Sequence, residues 1–261
     1  MNPIFSRTFK ALSTLLVAAV LTACGSGSTV DPFKPTRVVG LGDGYALATN
    51  SVVSQVAAGF GQSSIVSSAT SGGVIADLST QIAQVPGGVT STDLVVISVG
   101  TNDLKGGLAQ VNYAASVGTV VTQIQGLLGT TKHVLVMPVL DLSRTPWGRA
   151  PNPVFSATAT ADFNRELLNQ LQSNFGSRTP NPVIFGDSGL SPISSRFLGM
   201  TNAISPIWIS PLNQYDFQTS CNGCSLSASL FDTATSDTYL TAAGMQWAGN
   251  MLYAATAQGW R

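Results

Sequence analysis

Near-continuous apolar strands that run directly into glycine-rich turns constrain the fold of this chain more than any other feature. The segment Asp93–Val99 is dominated by leucine, isoleucine and valine and leads straight into Gly100-Thr101-Asn102-Asp103. A strand of this composition is typical of a parallel sheet buried on both faces, whereas a strand with one solvent face alternates apolar and polar residues. Three further strands are predicted: Arg37–Leu41, which leads into Gly42-Asp43-Gly44-Tyr45, His133–Pro138 and Pro182–Phe185.

Segments with helical periodicity separate these strands. They are Asn50–Phe60, a short helix through Asp77–Ile82, Val111–Leu128, Thr160–Phe175 and Thr241–Ala257. Strands that alternate with helices indicate an α/β fold, in which a parallel sheet carries helices on both faces. Right-handed crossovers bring the carboxyl ends of the strands to one edge, where such folds bind ligands, and both glycine turns are predicted there. Residues 63–73 are interpreted as a small, polar segment, and Gly189–Pro211 as a surface excursion.

The N-terminus has the pattern of a bacterial lipoprotein signal. Arg7 and Lys10 precede an apolar run that ends in Leu21-Thr22-Ala23-Cys24, a lipobox-like sequence. The run of roughly 13 residues is short for a membrane-spanning helix. Residues 1–23 are therefore predicted to be a cleaved signal peptide, and Cys24 to become the lipidated first residue, with palmitate among its acyl chains. The alternative is an ordinary secretory signal in which Cys24 is incidental.

The segment after the lipobox predicts how the protein is held at the envelope. Residues 24–35 are rich in glycine, serine, threonine and proline, which is typical of a flexible tether, and the domain is predicted over residues 36–261. Gly25, rather than aspartate, after the cysteine favours the outer membrane. We therefore expect a lipid-anchored protein of the bacterial cell envelope.

The remaining cysteines and the charge restrict the cofactors and partners. Cys221 and Cys224 are predicted to form a small structural disulfide in an oxidising compartment, with a redox pair as the alternative. A zinc site would need two more ligands, and apart from the lipidated Cys24 the mature chain has one histidine and no other cysteine, so no metal or cofactor is predicted. The formal net charge is zero, so the chain has no excess of positive charge that would indicate nucleic-acid binding.

Four blocks of the chain, taken in order, resemble the SGNH/GDSL hydrolase family, in particular its exported bacterial esterase-like branch. They are a strand followed by Gly42-Asp43-Gly44-Tyr45, the turn Gly72-Gly73, a strand followed by Gly100-Thr101-Asn102-Asp103, and the helix start Thr241-Ala242-Ala243-Gly244. The resemblance covers about Thr36 to Trp260. It implies the SGNH hydrolase fold, a three-layer α/β sandwich with a flavodoxin-like parallel sheet.

The resemblance also implies roles for individual residues at the predicted carboxyl edge. In the family, a serine of a Gly-Asp-Ser-Leu motif attacks an ester carbonyl, and hydrogen-bond donors face the developing oxyanion. Asn102 matches the asparagine of that oxyanion hole, and Gly72 or Gly73 matches its glycine donor. Gly44 stands where the nucleophilic serine is expected, so this position carries no hydroxyl.

The base of the family mechanism is also missing from its expected position. The family places an Asp-x-x-His near the C-terminus, whereas here Tyr239 or Leu240 takes the histidine position, with Ser236 or Asp237 nearby. The only histidine of the chain is His133, at the start of a predicted buried strand. Its place at the strand end opposite the glycine turns indicates a structural role.

Two other hydroxyl groups are alternative nucleophiles. Ser188 lies in a literal Gly186-Asp187-Ser188-Gly189 after a predicted strand, but it comes after the third block, whereas the family motif precedes that block. Turns at strand ends are rich in glycine, aspartate and serine in any case. The second alternative is Thr101 beside Asp103.

Two functional hypotheses follow from the sequence. The first is an envelope lipoprotein with an SGNH-like domain that has lost its triad and acts as a binding or structural component; presentation of loops by a scaffold is a variant of it. Its ligand would be a lipid or a glycan. Four aromatic residues either line a cleft for this ligand or belong to the hydrophobic core: Trp147, Trp208, Tyr215 and Trp247. The second hypothesis is a divergent ester hydrolase, of esterase, lipase or glycan deacetylase type, with a nucleophile from outside the family motif.

Overall fold

The computed structural model describes residues 33–131, 133–140, 142, 147, 158–176 and 183–185, and the helical positions 245, 246, 248–250, 252, 253 and 256. The chain divides into two compact units, Met1–Pro32 with Arg261, and Phe33–Trp260. All described residues belong to the second unit. The signal peptide and almost all of the tether predicted from the sequence lie outside the described residues.

Five parallel strands form the sheet. They are β1 (Arg37–Gly42), β2 (Ile65–Ser67), β3 (Asp93–Ser98), β4 (His133–Met137) and β5 (Val183–Phe185). Their spatial order is β2-β1-β3-β4-β5, and every neighbouring pair is parallel. This is the strand order of flavodoxin-like sheets, in which ligands bind outside the carboxyl ends of the strands near β1 and β3.

Five helices are described in full between the strands. They are α1 (Val52–Gly59), α2 (Leu78–Ala83), α3 (Thr101–Lys105), α4 (Tyr113–Leu127) and α5 (Ala159–Phe175), and three short 3-10 turns lie at Gly44–Ala46, Ile75–Asp77 and Gln110–Asn112. Ser51 caps the start of helix α1: its hydroxyl accepts from the backbone N–H of Ser54 in a reciprocal capping box. The helical positions within 245–256 belong to the segment predicted as the closing helix.

The two faces of the sheet bury separate apolar clusters, because successive strand side chains point to opposite faces. Val39, Val95 and Val134 represent the face that packs against α2, α4 and α5. Val38, Leu94 and Leu135 represent the other face, which packs against α1 and the helical residues Met245, Ala248 and Leu252. The prediction of an α/β fold, with a parallel sheet and helices on both faces, is confirmed.

Two elements were not predicted from the sequence. Residues 63–73 were interpreted as a polar segment, but Ile65–Ser67 forms β2, whose three residues are all half-buried. Within the described residues this edge strand pairs with one neighbour, β1, and it lacks the long apolar run of β3. Helix α3 was interpreted as part of a turn; Gly100 allows it to start there because its φ of 105° is accessible mainly to glycine.

Candidate functional site

The carboxyl ends of β1 and β3 meet in the region where the sequence predicted a site. The backbone N–H of Asp43 donates to the carbonyl of Ser98 at 2.8 Å, which continues the strand pairing by one residue. The buried amide of Gln81, on α2, accepts from the N–H of Gly42 at 2.5 Å and donates to its carbonyl at 3.0 Å. Gly42 has a φ of 111°, so the chain leaves the strand through a conformation that favours glycine.

The carboxyl group of Asp43 is fully buried at this junction. Its Oδ1 accepts from the backbone N–H of Tyr45 at 3.1 Å and from the hydroxyl of Ser98 at 2.8 Å. Its Oδ2 is buried without a hydrogen-bond partner in the described part of the chain. Burial raises the pKa of Asp43 to about 6, against the hydrogen bonds from Ser98 and Tyr45 and the nearby hydroxyl of Thr101, which favour the charged form.

Gly44 opens the 3-10 turn Gly44–Ala46 and is buried. This right-handed conformation is accessible to residues with a side chain. The backbone angles of the turn therefore suit serine as well as glycine. The missing hydroxyl is a property of the sequence and not a requirement of the main chain.

The two glycines of the second block occupy different environments. The N–H of Gly73 donates to the carbonyl of Thr70 at 2.9 Å, and a Cβ on Gly73 would lie 2.1 Å from the carbonyl oxygen of Gly42. Gly73 therefore allows the loop of residues 70–74 to pack directly on the end of β1. A Cβ on Gly72 would meet nothing within 4 Å. Only Gly73 is required by close packing.

The side chain of Asn102 ties α3 to that same loop. Its Nδ2 donates to the carbonyl of Gly73 at 2.9 Å and to the carbonyl of Ser71 at 3.2 Å. These two bonds account for both hydrogens of the amide group. The asparagine and the glycine that match the oxyanion hole are therefore brought together, but their N–H groups are engaged by carbonyls of the chain.

Thr101 and Asp103, the alternative nucleophile and its neighbouring acid, contact different parts of the site. Thr101 is 2% exposed and its hydroxyl lies near the carboxyl of Asp43. Both carboxylate oxygens of Asp103 accept from the N–H of Ile75, each at 3.2 Å, and burial raises the pKa of Asp103. Asp103 thus holds the 3-10 turn Ile75–Asp77 against α3.

The other predicted residues fall elsewhere or outside the described part. His133 starts β4 at the amino edge, opposite the site, where its ring stacks on Phe33. The half-buried Trp147 packs against the core and carries the Lys105 ammonium 5.7 Å from its ring centroid. The following predicted residues lie outside the described part of the chain: Cys24, Ser188, Trp208, Tyr215, Cys221, Cys224, Ser236, Asp237, Tyr239, Leu240 and Trp247.

Two residues at the site were not singled out from the sequence. Gln81 was interpreted only as part of a helix, although a long polar side chain beside Leu78 and Ile82 on an apolar face is a signal of a buried hydrogen bond. Ser98 was interpreted as part of a continuous strand. Its position as a polar residue at the end of an apolar run was the available signal.

Neither a protein-family model nor a curated protein matches the chain. In the described part of the chain, no helix is both long enough and apolar enough to cross a bilayer. Among the same residues, no group of three or more histidine, cysteine, aspartate or glutamate side chains is arranged to hold a metal ion.

Proposed function

We propose that this protein is an envelope lipoprotein with an SGNH/GDSL hydrolase-like domain that has lost the family chemistry and acts as a binding or structural component. The observation that carries the proposal is the engagement of the oxyanion-hole-like groups. The amide of Asn102 and the N–H of Gly73 both donate to carbonyls of residues 70–73. Gly44 supplies no hydroxyl beside them.

The size of the expected catalytic loss supports a role without turnover. In subtilisin, the loss of either the serine or the histidine of the triad lowers turnover on the order of 10⁶-fold. An oxyanion hole and substrate binding alone retain about 10³–10⁴-fold rate enhancement over water. A chain without the serine and the histidine of the triad, in which the Asn102 amide and the Gly73 N–H already have acceptors, falls below the range useful for an esterase.

The decisive experiment measures hydrolysis by the mature protein on short-chain p-nitrophenyl esters and acetylated glycans, together with labelling by a fluorophosphonate probe. We expect no turnover above background and no labelling. Ser188→Ala is the matched variant. Turnover in the wild type that disappears in Ser188→Ala would refute the loss of chemistry and establish the divergent hydrolase.

A gain-of-function experiment tests whether the scaffold still resembles the family. Gly44→Ser is combined with Tyr239→His or with Leu240→His, and each single substitution is the control. The 3-10 conformation of Gly44 accommodates serine, so we expect Gly44→Ser to fold. Activity that appears only in a double variant would support lost chemistry on an SGNH scaffold.

Lipid anchoring is tested separately from chemistry. We expect globomycin to block processing of the precursor and Cys24→Ser to abolish incorporation of labelled palmitate. Normal release of an unlipidated chain that retains Cys24 would refute the lipoprotein assignment. Sucrose-gradient fractionation would then report whether the anchored protein is in the outer membrane.

A further inference from the structure

Four aromatic rings lie together at the amino edge of the sheet, opposite the candidate site. Phe33, just before β1, stacks on His133, with centroids 3.5 Å apart and planes 18° apart. Phe33 meets Phe60 edge-on at 6.1 Å, and Phe60 meets Tyr253 at 4.9 Å. We name Phe33, Phe60, His133 and Tyr253 the amino-edge aromatic patch.

The patch is apolar on the inside and partly accessible on the outside. Phe33 and Phe60 pack against the core cluster formed by one face of the sheet and α1. All four rings nevertheless remain half-buried and not fully enclosed. Rings with an apolar body and a partly wet surface, tyrosine above all, suit the boundary between lipid and water.

We propose that the amino-edge aromatic patch rests on the lipid surface to which Cys24 anchors the chain, so that the carboxyl edge with the candidate site faces away from the membrane. This inference rests on the lipid anchor of the proposed function. The occupant is a bilayer surface, and the contact is peripheral.

The length of the tether keeps the patch within reach of the lipid surface. Nine peptide steps separate Cys24 from Phe33. A chain of that length spans about 30 Å when fully extended, and about 15–18 Å on average when it is flexible. Phe33 lies near the end of the segment predicted as the tether, residues 24–35, and is itself a member of the patch. Tethering gives the patch a high effective concentration at the lipid surface, so a weak contact is sufficient.

The distribution of charge favours the same orientation. Lys34 is exposed beside Phe33, and Arg37 neutralises Asp93 through two hydrogen bonds at the amino edge. Arg37 also donates to the carbonyls of Pro86 and Gly88, which holds that loop at the same edge. Three carboxyl groups lie together at the opposite edge, those of Asp43, Asp77 and Asp103, and the Lys105 ammonium at the end of α3 offsets one of them. An anionic lipid surface attracts the amino edge and repels the carboxyl edge.

The test measures the depth of two positions in vesicle-bound protein. The lipidated mature protein is reconstituted in vesicles of phosphatidylethanolamine and phosphatidylglycerol, and in vesicles of phosphatidylcholine alone. A fluorinated phenylalanine replaces Phe60 in one sample and Val111 in the other. Val111 is 86% exposed and lies between α3 and α4, on the carboxyl-edge side, so it is the matched control. Fluorine NMR then measures the relaxation caused by spin-labelled lipids.

We expect a several-fold larger relaxation enhancement at the Phe60 position than at the Val111 position, and a larger difference with the anionic lipid. Equal enhancement at both positions in protein that floats with the vesicles would overturn the docking and leave the anchor intact. A third outcome combines no relaxation enhancement at the Phe60 position with a dimer that chemical cross-linking traps. It would show that the patch contacts a second copy of the chain, and it would overturn lipid docking. A wild-type chain that fails to float, like its Cys24→Ser control, would overturn both the anchor and the docking.

Discussion

Replacement of Asp43 with asparagine removes a buried ionisable group while preserving its shape. The Oδ1 of asparagine can accept from the Tyr45 N–H and the Ser98 hydroxyl as the carboxylate does. Its Nδ2 takes the position of Oδ2, which has no hydrogen-bond partner in the described structure. The substitution therefore isolates the cost of a buried charge from the cost of lost packing.

The magnitude follows from the pKa of Asp43, which burial raises to about 6. An unfolded aspartate has a pKa of about 3.9, so the folded state binds its proton more tightly. Stability is therefore greatest when Asp43 is protonated, falls as the pH rises from about 4 to about 6, and is level above that range. A difference of about two pKa units corresponds to about 3 kcal/mol of unfolding free energy.

The assay is chemical denaturation of wild type and Asp43→Asn at a series of pH values from 4 to 7. Other groups titrate equally in the two proteins, so the difference between their unfolding free energies reports Asp43. We expect asparagine to become more favourable by about 3 kcal/mol relative to wild type as the pH rises. A difference that is flat with pH, or that changes in the opposite direction, would refute the buried ionisation.

Asp93→Asn provides a control of opposite sign. Burial alone would raise the pKa of Asp93, but hydrogen bonds from Arg37 and Thr90 hold this pKa below its usual value. The ionised form therefore stabilises the folded state, and this stabilisation is lost as the pH falls through the acid range. As the pH falls, the unfolding free energy of Asp93→Asn should therefore rise relative to wild type, whereas that of Asp43→Asn should fall relative to wild type.

Three further predictions concern the hydrogen bonds and packing at the carboxyl edge. Gly73→Ala should destabilise the fold by about 1–3 kcal/mol because its Cβ would overlap the carbonyl of Gly42. The control Gly72→Ala should stay within about 0.5 kcal/mol of wild type, and equal urea midpoints for the two variants would contradict the prediction. Asn102→Ala should cost about 1–3 kcal/mol in urea unfolding because two loop carbonyls lose their donor, and an unchanged midpoint would count against the cross-link. Gln81→Leu should leave the Gly42 N–H without its partner, costing about 1–3 kcal/mol and accelerating amide exchange at that residue, so unchanged exchange would exclude this role.

The strands that were predicted correctly are those with the strongest compositional constraint. The β3 strand is buried at every position, which requires an apolar run that is visible in the sequence. The β2 strand lies at the edge of the sheet and needs only Ile65 and Val66 as apolar residues, so its short run resembles a loop. The β5 strand also ends the described strand order, but it was predicted because Pro182–Phe185 is apolar throughout, so strand detection followed the apolar run and not the position in the sheet.

The site was predicted in position but not in its internal bonding. Parallel topology is sufficient to place Asp43 and Asn102 at one edge. The acceptors of the Asn102 amide are carbonyls of Ser71 and Gly73, about thirty residues away, and this pairing depends on how the loop packs. Backbone carbonyls are present at every residue, so no side-chain pattern identifies which ones accept.

The hydrogen bonds at the carboxyl edge give Asn102 and Gly73 a reason to be present that does not require a reaction. Removal of either creates an unpaired carbonyl or a steric overlap at the end of β1. The backbone angles at Gly44 do not require glycine, because its 3-10 conformation accepts other residues. A chain in which selection on turnover had ceased would therefore keep the first two residues and lose the serine. The serine position and the histidine position, Tyr239 or Leu240, are therefore the two that would distinguish an inactive scaffold from an active one.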